Sequence, residues 1–363
     1  MTNRTKFSFI EDGSPQRAQS AYDRGPYDAE PLPEEDLWFL PPDDHPAGEA
    51  AYDLPLPRAD HRPLVDVAAW AEAEAAQAGA LADLGILLGR LAERLQAGPD
   101  GWRHRLALRE AADLSWLAGD RVPMERLALW LTLRLGGEGD DAQALARAGW
   151  AARRLVQAPP PQEDLAGFLG RRAPDTVEAL DHPIADWAEV MGQGRALHPV
   201  TQGALSFHLW PVVGFSADHP SLPMIESAVV AARHAANPIE GLGFLPLAIG
   251  GAGGLRGRGT AKERLAAWIG GADQAVRAAL RQLDALRDWE ARARDATAAL
   301  SGRTPPALVA LLREWPLVSA PMAEAETGAS RAAVQRNLNW MTEAGLIREV
   351  TGQGRYRFWA AAV

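Results

Sequence analysis

The chain of 363 residues contains no cysteine. Disulfide bonds, thiolate nucleophiles and cysteine-ligated zinc sites are therefore excluded. The sequence also lacks a run of eighteen apolar residues and an apolar stretch at its start, so neither a membrane-spanning helix nor a secretion signal is predicted. We accordingly expect a soluble, cytoplasmic protein that makes no contact with a membrane.

Lysine is almost as scarce, with 2 lysines against 35 arginines. We interpret this bias as the mark of a GC-rich coding sequence and not as evidence of nucleic-acid binding; the net charge of the whole chain is −10. The length exceeds that of a usual single core, which predicts more than one domain. An apolar content of 47% with 13 tryptophans allows a large core, and the richness in Ala, Leu, Arg and Glu favours helices.

Sequence motifs of catalysis, metal binding and cofactor binding are missing as well. The eight histidines form no HExxH pair, and no GxSxG elbow is present. A glycine-rich stretch around Gly250–Gly259 fits neither the dinucleotide nor the P-loop pattern, although its basic flank leaves phosphate contact as an alternative to a flexible connection. That flank consists of Arg256, Arg258, Lys262 and Arg264. We expect no enzyme, no cofactor and no metal site.

Composition and periodicity divide the chain into three predicted domains. Residues 1–63 are predicted to be a disordered, proline-rich tail, because the first 60 residues contain 13 acidic against five basic side chains. Within this tail, residues 37–40 (Leu-Trp-Phe-Leu) are either a docking element or a segment that packs on the body. Residues 64–300 have helical spacing and predict an α-helical domain of unknown function. Its tryptophans are assigned to packing: Trp70, Trp102, Trp116, Trp130 and Trp150.

The third domain, residues 301–363, has the pattern of three helices and a hairpin. A helix follows Pro305, a second covers residues 320–326, and Gly328 and Ser330 supply a turn and an N-cap for a third that ends at Gly345. The expected apolar stripes are Leu308, Leu311 and Leu312, then Val334, Leu338 and Met341. Two short alternating strands come next. We predict a mainly α fold, a multi-helix body with a C-terminal winged helix-turn-helix domain that folds independently.

The polar residues of this domain are those with which a recognition helix and a wing contact double-stranded DNA. Amide and guanidinium groups read base edges bidentately, and arginines bind phosphates. Seven arginines against five acids make the domain net positive. The predicted DNA-binding residues are Ser330, Arg331, Gln335, Arg336, Asn339, Arg355 and Arg357. We assign bases to the helix and phosphates to the two wing arginines, and predict a transcriptional regulator.

Two alternatives remain open at this point. The winged helix could contact a protein or serve as a structural cap, with its arginines solvated. The long amphipathic stretch from Ala261 to Leu300 could pair with its copy in a homodimer or pack within the chain. Gly270 and Gly271 are expected to be a point where that helix could break.

Several short stretches resemble an uncharacterised bacterial family, often plasmid-borne in alphaproteobacteria. These stretches are residues 101–111 (GWRHRLALREA), 115–129 (SWLAGDRVPMERLAL), 315–330 (WPLVSAPMAEAETGAS) and 351–359 (TGQGRYRFW). Members of that family combine a helical domain of unknown function with a C-terminal helix-turn-helix DNA-binding domain. The resemblance therefore implies a DNA-binding protein.

A weaker resemblance is to Fic-domain AMP transferases, which combine an inhibitory helix, a helical core and often a C-terminal winged helix. Ala118 stands where the inhibitory glutamate of that pattern would fall. The HPFxxGNGR loop is absent, since His198-Pro199 and His219-Pro220 lack both the Phe and the GNGR. The resemblance therefore implies a degenerate relative that catalyses no AMP transfer.

Overall fold

A computed structural model describes residues 65–133, 139–157, 159–170, 174–215, 221–352 and 357–363. The predicted disordered tail and its Leu-Trp-Phe-Leu segment lie outside the described residues. The described parts of the remaining chain belong to one compact unit, so that contacts between the body and the C-terminal residues can be described.

The described residues form thirteen α-helices and three short strands, and the predicted mainly α fold class is thereby confirmed. The helices of the body are α1 (Val67–Ala76), α2 (Ala78–Ala97), α3 (Gly101–Ala118), α4 (Met124–Leu133), α5 (Gly139–Gln157), α6 (Leu165–Leu169), α7 (Pro174–Gln193), α8 (Pro199–Leu209), α9 (Ser221–Ala236) and α10 (Ala261–Thr297). Helix α8 packs on α9, and α3 packs on α5 and α9. Helix α10 lies along α1 and α2.

Helix α10 is continuous, and the break considered at its paired glycines does not occur. The helix starts with a capping box: Thr260 Oγ1 accepts from the N–H of Glu263 at 3.3 Å, and Glu263 Oε2 accepts from the N–H of Thr260 at 2.8 Å. Gly271 has a packing reason, since a Cβ there would lie 2.4 Å from the backbone nitrogen of Gly254. The apolar face of α10 is buried within the chain, which confirms packing within the monomer.

Tryptophans fill the body, with one exception. Trp70 and Trp102 are buried, as expected, and Trp130 and Trp150 are half-buried against the core. Trp116 was wrongly assigned to packing, because 54% of it is exposed. Its helix position points away from the core, and the guanidinium of Arg121 lies 6.0 Å from its ring centroid.

A buried carboxylate holds the glycine-rich loop against the body. The Glu110 side chain on α3 accepts hydrogen bonds from the backbone N–H groups of Leu247 and Ala248 at 2.9 Å and of Ile249 at 3.1 Å. Burial raises the pKa of Glu110 to about 7, although these three donors act in the opposite direction. The loop is therefore tied to α3 by its own amide groups.

The C-terminal module (residues 304–363) follows α10 directly. Its elements are α11 (Thr304–Glu314), β1 (Val318–Ser319), α12 (Ala320–Thr327), α13 (Arg331–Glu343), β2 (Ile347–Glu349) and β3 (Phe358–Ala361). The three strands form an antiparallel sheet in the order β1-β3-β2, with Val318 opposite Trp359 and Ile347 opposite Ala361. The sequence had indicated the three helices and the hairpin but not β1, whose two residues are too short for a periodic pattern.

The core of the module includes a side chain from the body. Trp289 on α10 is fully buried in a cluster with Leu308, Val334 and Trp359. Its Nε1–H donates to the carbonyl oxygen of Leu346 at 2.7 Å. The predicted boundary between residues 300 and 301 therefore leaves part of the module's core on the other side.

A second joint connects α3 to the end of α11. Arg105 donates from Nε to the carbonyl of Glu314 at 3.1 Å and from Nη2 to that of Leu312 at 2.5 Å; Nη2 also bonds the carbonyl of Trp315. Gly101 permits this close approach, because a Cβ there would lie 2.5 Å from the Glu314 carbonyl oxygen. The last turn of α11 thus has its free carbonyls satisfied by the body.

No single helix among the described residues is long and apolar enough to cross a membrane. Helices α1 and α2 taken together meet the length and composition test, but they are bent by 78° relative to each other.

Candidate nucleic-acid interface

Helices α12 and α13 are joined by a short turn whose geometry follows from the sequence. Ser319 caps α12 by accepting from the N–H of Met322 at 3.3 Å. Gly328 ends that helix at a φ of 63°, a left-handed conformation that favours glycine. Ser330 then caps α13 by accepting from the N–H of Ala333 at 3.4 Å. The hydroxyl of this predicted DNA contact therefore has a structural partner at the start of the helix.

Helix α13 has one buried face and one exposed face. Val334, Leu338 and Met341 are fully buried against α11 and α12, as the sequence predicted. The opposite face brings together the four helix residues predicted to contact DNA. Arg331, Arg336 and Asn339 are exposed and Gln335 is half-exposed. The predicted set on the helix is thus contiguous and accessible.

Gln335 and Asn339 are bonded to each other on this face. Gln335 Nε2 donates to Asn339 Oδ1 at 2.9 Å. The pair still has Gln335 Oε1 as an acceptor and the Asn339 amide hydrogens as donors. A donor beside an acceptor is the complement of the N6 and N7 edge of adenine.

The arginines of α13 differ from those of the hairpin. Arg331 and Arg336 form no ion pair within the described part of the chain. Glu324 and Glu326 lie on α12, one helix away, and the acid of α13, Glu343, is at the opposite end of the helix from Arg331. An exposed cation at the first turn of such a helix is free to meet a phosphate or a base edge.

Arg357, by contrast, is engaged inside the module. Its Nε and Nη2 each lie 2.8 Å from Glu349 Oε2, and its guanidinium lies 5.0 Å from the centroid of the Trp359 ring. Arg355 lies outside the described residues. On β2, Arg348 forms an ion pair with Glu125 of the body at 2.7 Å. Of these two predicted phosphate contacts, the described structure therefore locates only Arg357, and it holds that side chain in an ion pair with Glu349.

Residues 305–361 match a family described as HTH DNA binding domain. This match covers the three helices and the sheet just described. The C-terminal module is a helix-turn-helix DNA-binding domain. No curated protein matches the chain.

Two residues that support the helix-turn-helix domain were missed by sequence reasoning. Both belong to body helices and contact residues far away in the chain. Trp289 lies 57 residues from its partner, and Arg105 lies between 207 and 210 residues from its three partners. Tryptophan and arginine at these positions fit any amphipathic helix, so the sequence contains no signal for either contact. Asn337, also on α13 and not among the predicted DNA contacts, donates from Nδ2 to the Ala333 carbonyl at 2.8 Å.

Some amide groups of the glycine-rich stretch, the alternative phosphate site, already have partners within the chain: those of Gly251, Leu255 and Arg256 donate to the carbonyls of Ala248, Ala252 and Gly253. The amide groups of residues 247–249 already bind Glu110. His208 does lie beside Gly259 and Arg264 around a cavity of about 250 Å³. Burial, with Arg264 as a smaller cause, lowers the pKa of His208 to about 4, so it is neutral at pH 7. Among the described residues no group of three or more His, Asp or Glu could hold a metal ion.

Proposed function

We propose that this protein binds specific duplex DNA sequences through α13 and regulates transcription. The observation that carries the proposal is the exposed polar face of α13, within a segment that matches a DNA-binding family. Its N-terminal half presents Arg331, Gln335 and Arg336, where recognition helices contact base edges. The net positive charge of the domain adds non-specific attraction to phosphates.

The Gln335–Asn339 pair reads an adenine in this proposal. The hydrogen bond between the two side chains holds both amides in one orientation before DNA arrives. Arg336 or Arg331 then binds the O6 and N7 acceptors of a guanine. Each bidentate contact of this kind discriminates by about 1–3 kcal/mol.

The hairpin acts as the wing of a winged helix and contacts the phosphate backbone. Arg355 and Arg357 keep this assignment. Arg357 now donates to the carboxylate of Glu349. To contact a phosphate, its guanidinium must either bind both anions at once or leave Glu349. We therefore expect Arg357 to contribute less to affinity than an arginine that forms no ion pair.

The remaining features of the proposal concern assembly and location. If the protein is a homodimer, the interface uses a surface other than the apolar face of α10, because that face is buried in the chain. We propose a cytoplasmic regulator without enzymatic activity. Membership of the plasmid-borne alphaproteobacterial family and descent from a degenerate Fic protein remain predictions.

Selection from a random duplex library, followed by sequencing, tests the proposal on the full-length protein. Wild type is expected to enrich one motif. Gln335→Ala and Arg336→Ala each relax preference at one base pair, at a cost of about 1–3 kcal/mol. Arg357→Ala weakens all sequences alike. Affinity is expected to fall steeply with salt, with a log–log slope of about −0.9 per phosphate neutralised.

Arg90→Ala is the matched control, because Arg90 is exposed on α2, in the body. It removes the same charge and is expected to leave the enriched motif unchanged. Enrichment of no motif, or a motif that none of the α13 variants alters, contradicts the proposal.

A further inference from the structure

A cavity of about 870 Å³ lies where the body meets the helix-turn-helix domain. Its body side is formed by α3, α4 and α5, and its other side by the segment between α11 and α12. Small-molecule sites usually enclose about 300–1,000 Å³ and favour domain junctions. The cavity therefore has the size and position of a ligand site.

The walls of this junction cavity are mostly apolar and aromatic. The rings of His104 and Trp315 pack with centroids 5.4 Å apart and planes tilted by 49°. Trp130 forms part of the wall from α4. Its place depends on Gly149, since a Cβ there would lie 2.5 Å from the Trp130 ring. Such walls suit a flat aromatic molecule.

The charge of the lining is one-sided. Arg153 on α5 is exposed and forms no ion pair within the described part of the chain. Gln157, one helical turn further on, adds an amide. None of the described lining residues is acidic. A guanidinium without a counter-charge, beside an aromatic wall, complements one carboxylate.

The same cavity touches both sides of the joint that holds the helix-turn-helix domain. Trp315 and Leu317 lead from α11 into β1, and Met322 lies on α12, which packs on α13. Arg105 binds the Trp315 carbonyl from the body side. A molecule in the cavity would thus contact the body and the DNA-binding domain together, and would bias their relative position if its affinity differs between two positions.

We propose that this junction cavity binds a small aromatic carboxylate, whose carboxylate pairs with Arg153, and that the bound acid changes affinity for DNA. The effect on DNA rests on the proposed function; the binding of the acid does not. The chain's own residues 34–40 also combine acids with aromatic rings. They are the poorer occupant, because Glu34, Glu35 and Asp36 would bring three negative charges to one arginine.

Calorimetric titration of the full-length protein, without DNA, tests the site. The probes are benzoate, 1-naphthoate and indole-3-acetate, and indole-3-acetamide is the neutral analogue of the last. We expect at least one acid to bind, and the indole acid to bind more tightly than its amide. Arg153→Gln is expected to weaken binding of the acid about tenfold or more. Arg153→Lys should have an intermediate affinity, and Arg90→Gln should bind the acid as wild type does. Since Arg153 is exposed, its variants should fold normally, which circular dichroism checks.

The coupling is measured by repeating duplex binding with and without the acid. We expect a change of about fivefold or more in Kd for DNA, absent in Arg153→Gln. No binding of any acid in the millimolar range, or equal binding by Arg153→Gln, overturns the site. Binding only after removal of residues 1–63 would overturn it in favour of the chain's own segment. Binding without any change in DNA affinity overturns the role as an effector. A protein that binds the acids but no duplex refutes the proposed function and leaves the site established.

Discussion

Replacing Trp289 tests whether α10 is part of the DNA-binding domain. The side chain is fully buried, and its Nε1–H donates to the Leu346 carbonyl at 2.7 Å. Trp289→Ala removes the ring and leaves a cavity, at a cost of about 3–5 kcal/mol. Trp289→Phe keeps an aromatic ring but leaves the Leu346 carbonyl without its hydrogen-bond donor, at a cost of about 1–3 kcal/mol. Both variants lose the hydrogen bond, so the difference between their free energies of unfolding measures the packing of the side chain.

Urea unfolding of the full-length protein gives the free energy of unfolding, and hydrogen exchange of α11 and α13 shows where the structure opens. We expect the loss in exchange protection to be concentrated in the helix-turn-helix domain. Trp116→Ala is the matched control, because that ring is 54% exposed, and should cost less than about 1 kcal/mol.

Fragments make the same comparison without substitution. Residues 286–363 retain Trp289, whereas residues 301–363 correspond to the domain predicted from sequence. We expect the longer fragment to be the more stable one. Equal stability of the two fragments, together with a loss below about 1 kcal/mol in Trp289→Ala, would refute the reasoning.

Three further predictions concern the body. Arg105→Ala leaves the α11 carbonyls without their donors and should lower the free energy of unfolding by about 3 kcal/mol. The control Arg90→Ala should show no change in the same urea titration. Glu110→Gln replaces an acceptor by a donor facing amide N–H groups and should cost about 1–3 kcal/mol. The pKa of Glu110 is raised from 4.5 to about 7 in the folded state, so its protonation stabilises the fold. This contribution is complete below about pH 4.5 and is lost as the pH rises through 7. The free energy of unfolding of wild type, measured relative to that of Glu110→Gln, should therefore decline over that window by on the order of 3 kcal/mol. Incubation with labelled ATP and lysate should transfer no AMP, because His208 is half-buried against the rings of Trp70 and Phe207 and its pKa is lowered.

Each of these has a result that would contradict it. Wild-type stability of Arg105→Ala would mean that the joint contributes nothing. A pH profile of wild type that parallels Glu110→Gln would mean that the carboxylate does not titrate in this range. Label transfer that disappears in His208→Ala would identify an enzyme.

The helix-turn-helix elements could be predicted because their signals are local. Ser330, Gly328 and Gly345 supply a cap and two left-handed turns, and the apolar stripe of α13 has the helical period. The exposed face of the helix follows from the same periodicity, so its candidate DNA contacts could be named residue by residue. Arg357 shows the limit: its pairing with Glu349 depends on how the hairpin closes.

What the sequence alone determined was the helical class, the order of the C-terminal helices and the accessible face of α13. These depend on spacing and capping over a few residues. Tertiary structure decided which body residues complete the domain, Trp289 and Arg105 among them, and that Arg153 lies beside an aromatic cavity. Such contacts join residues far apart in the chain, and one amphipathic pattern is compatible with many partners; only the packing of the helices selects among them.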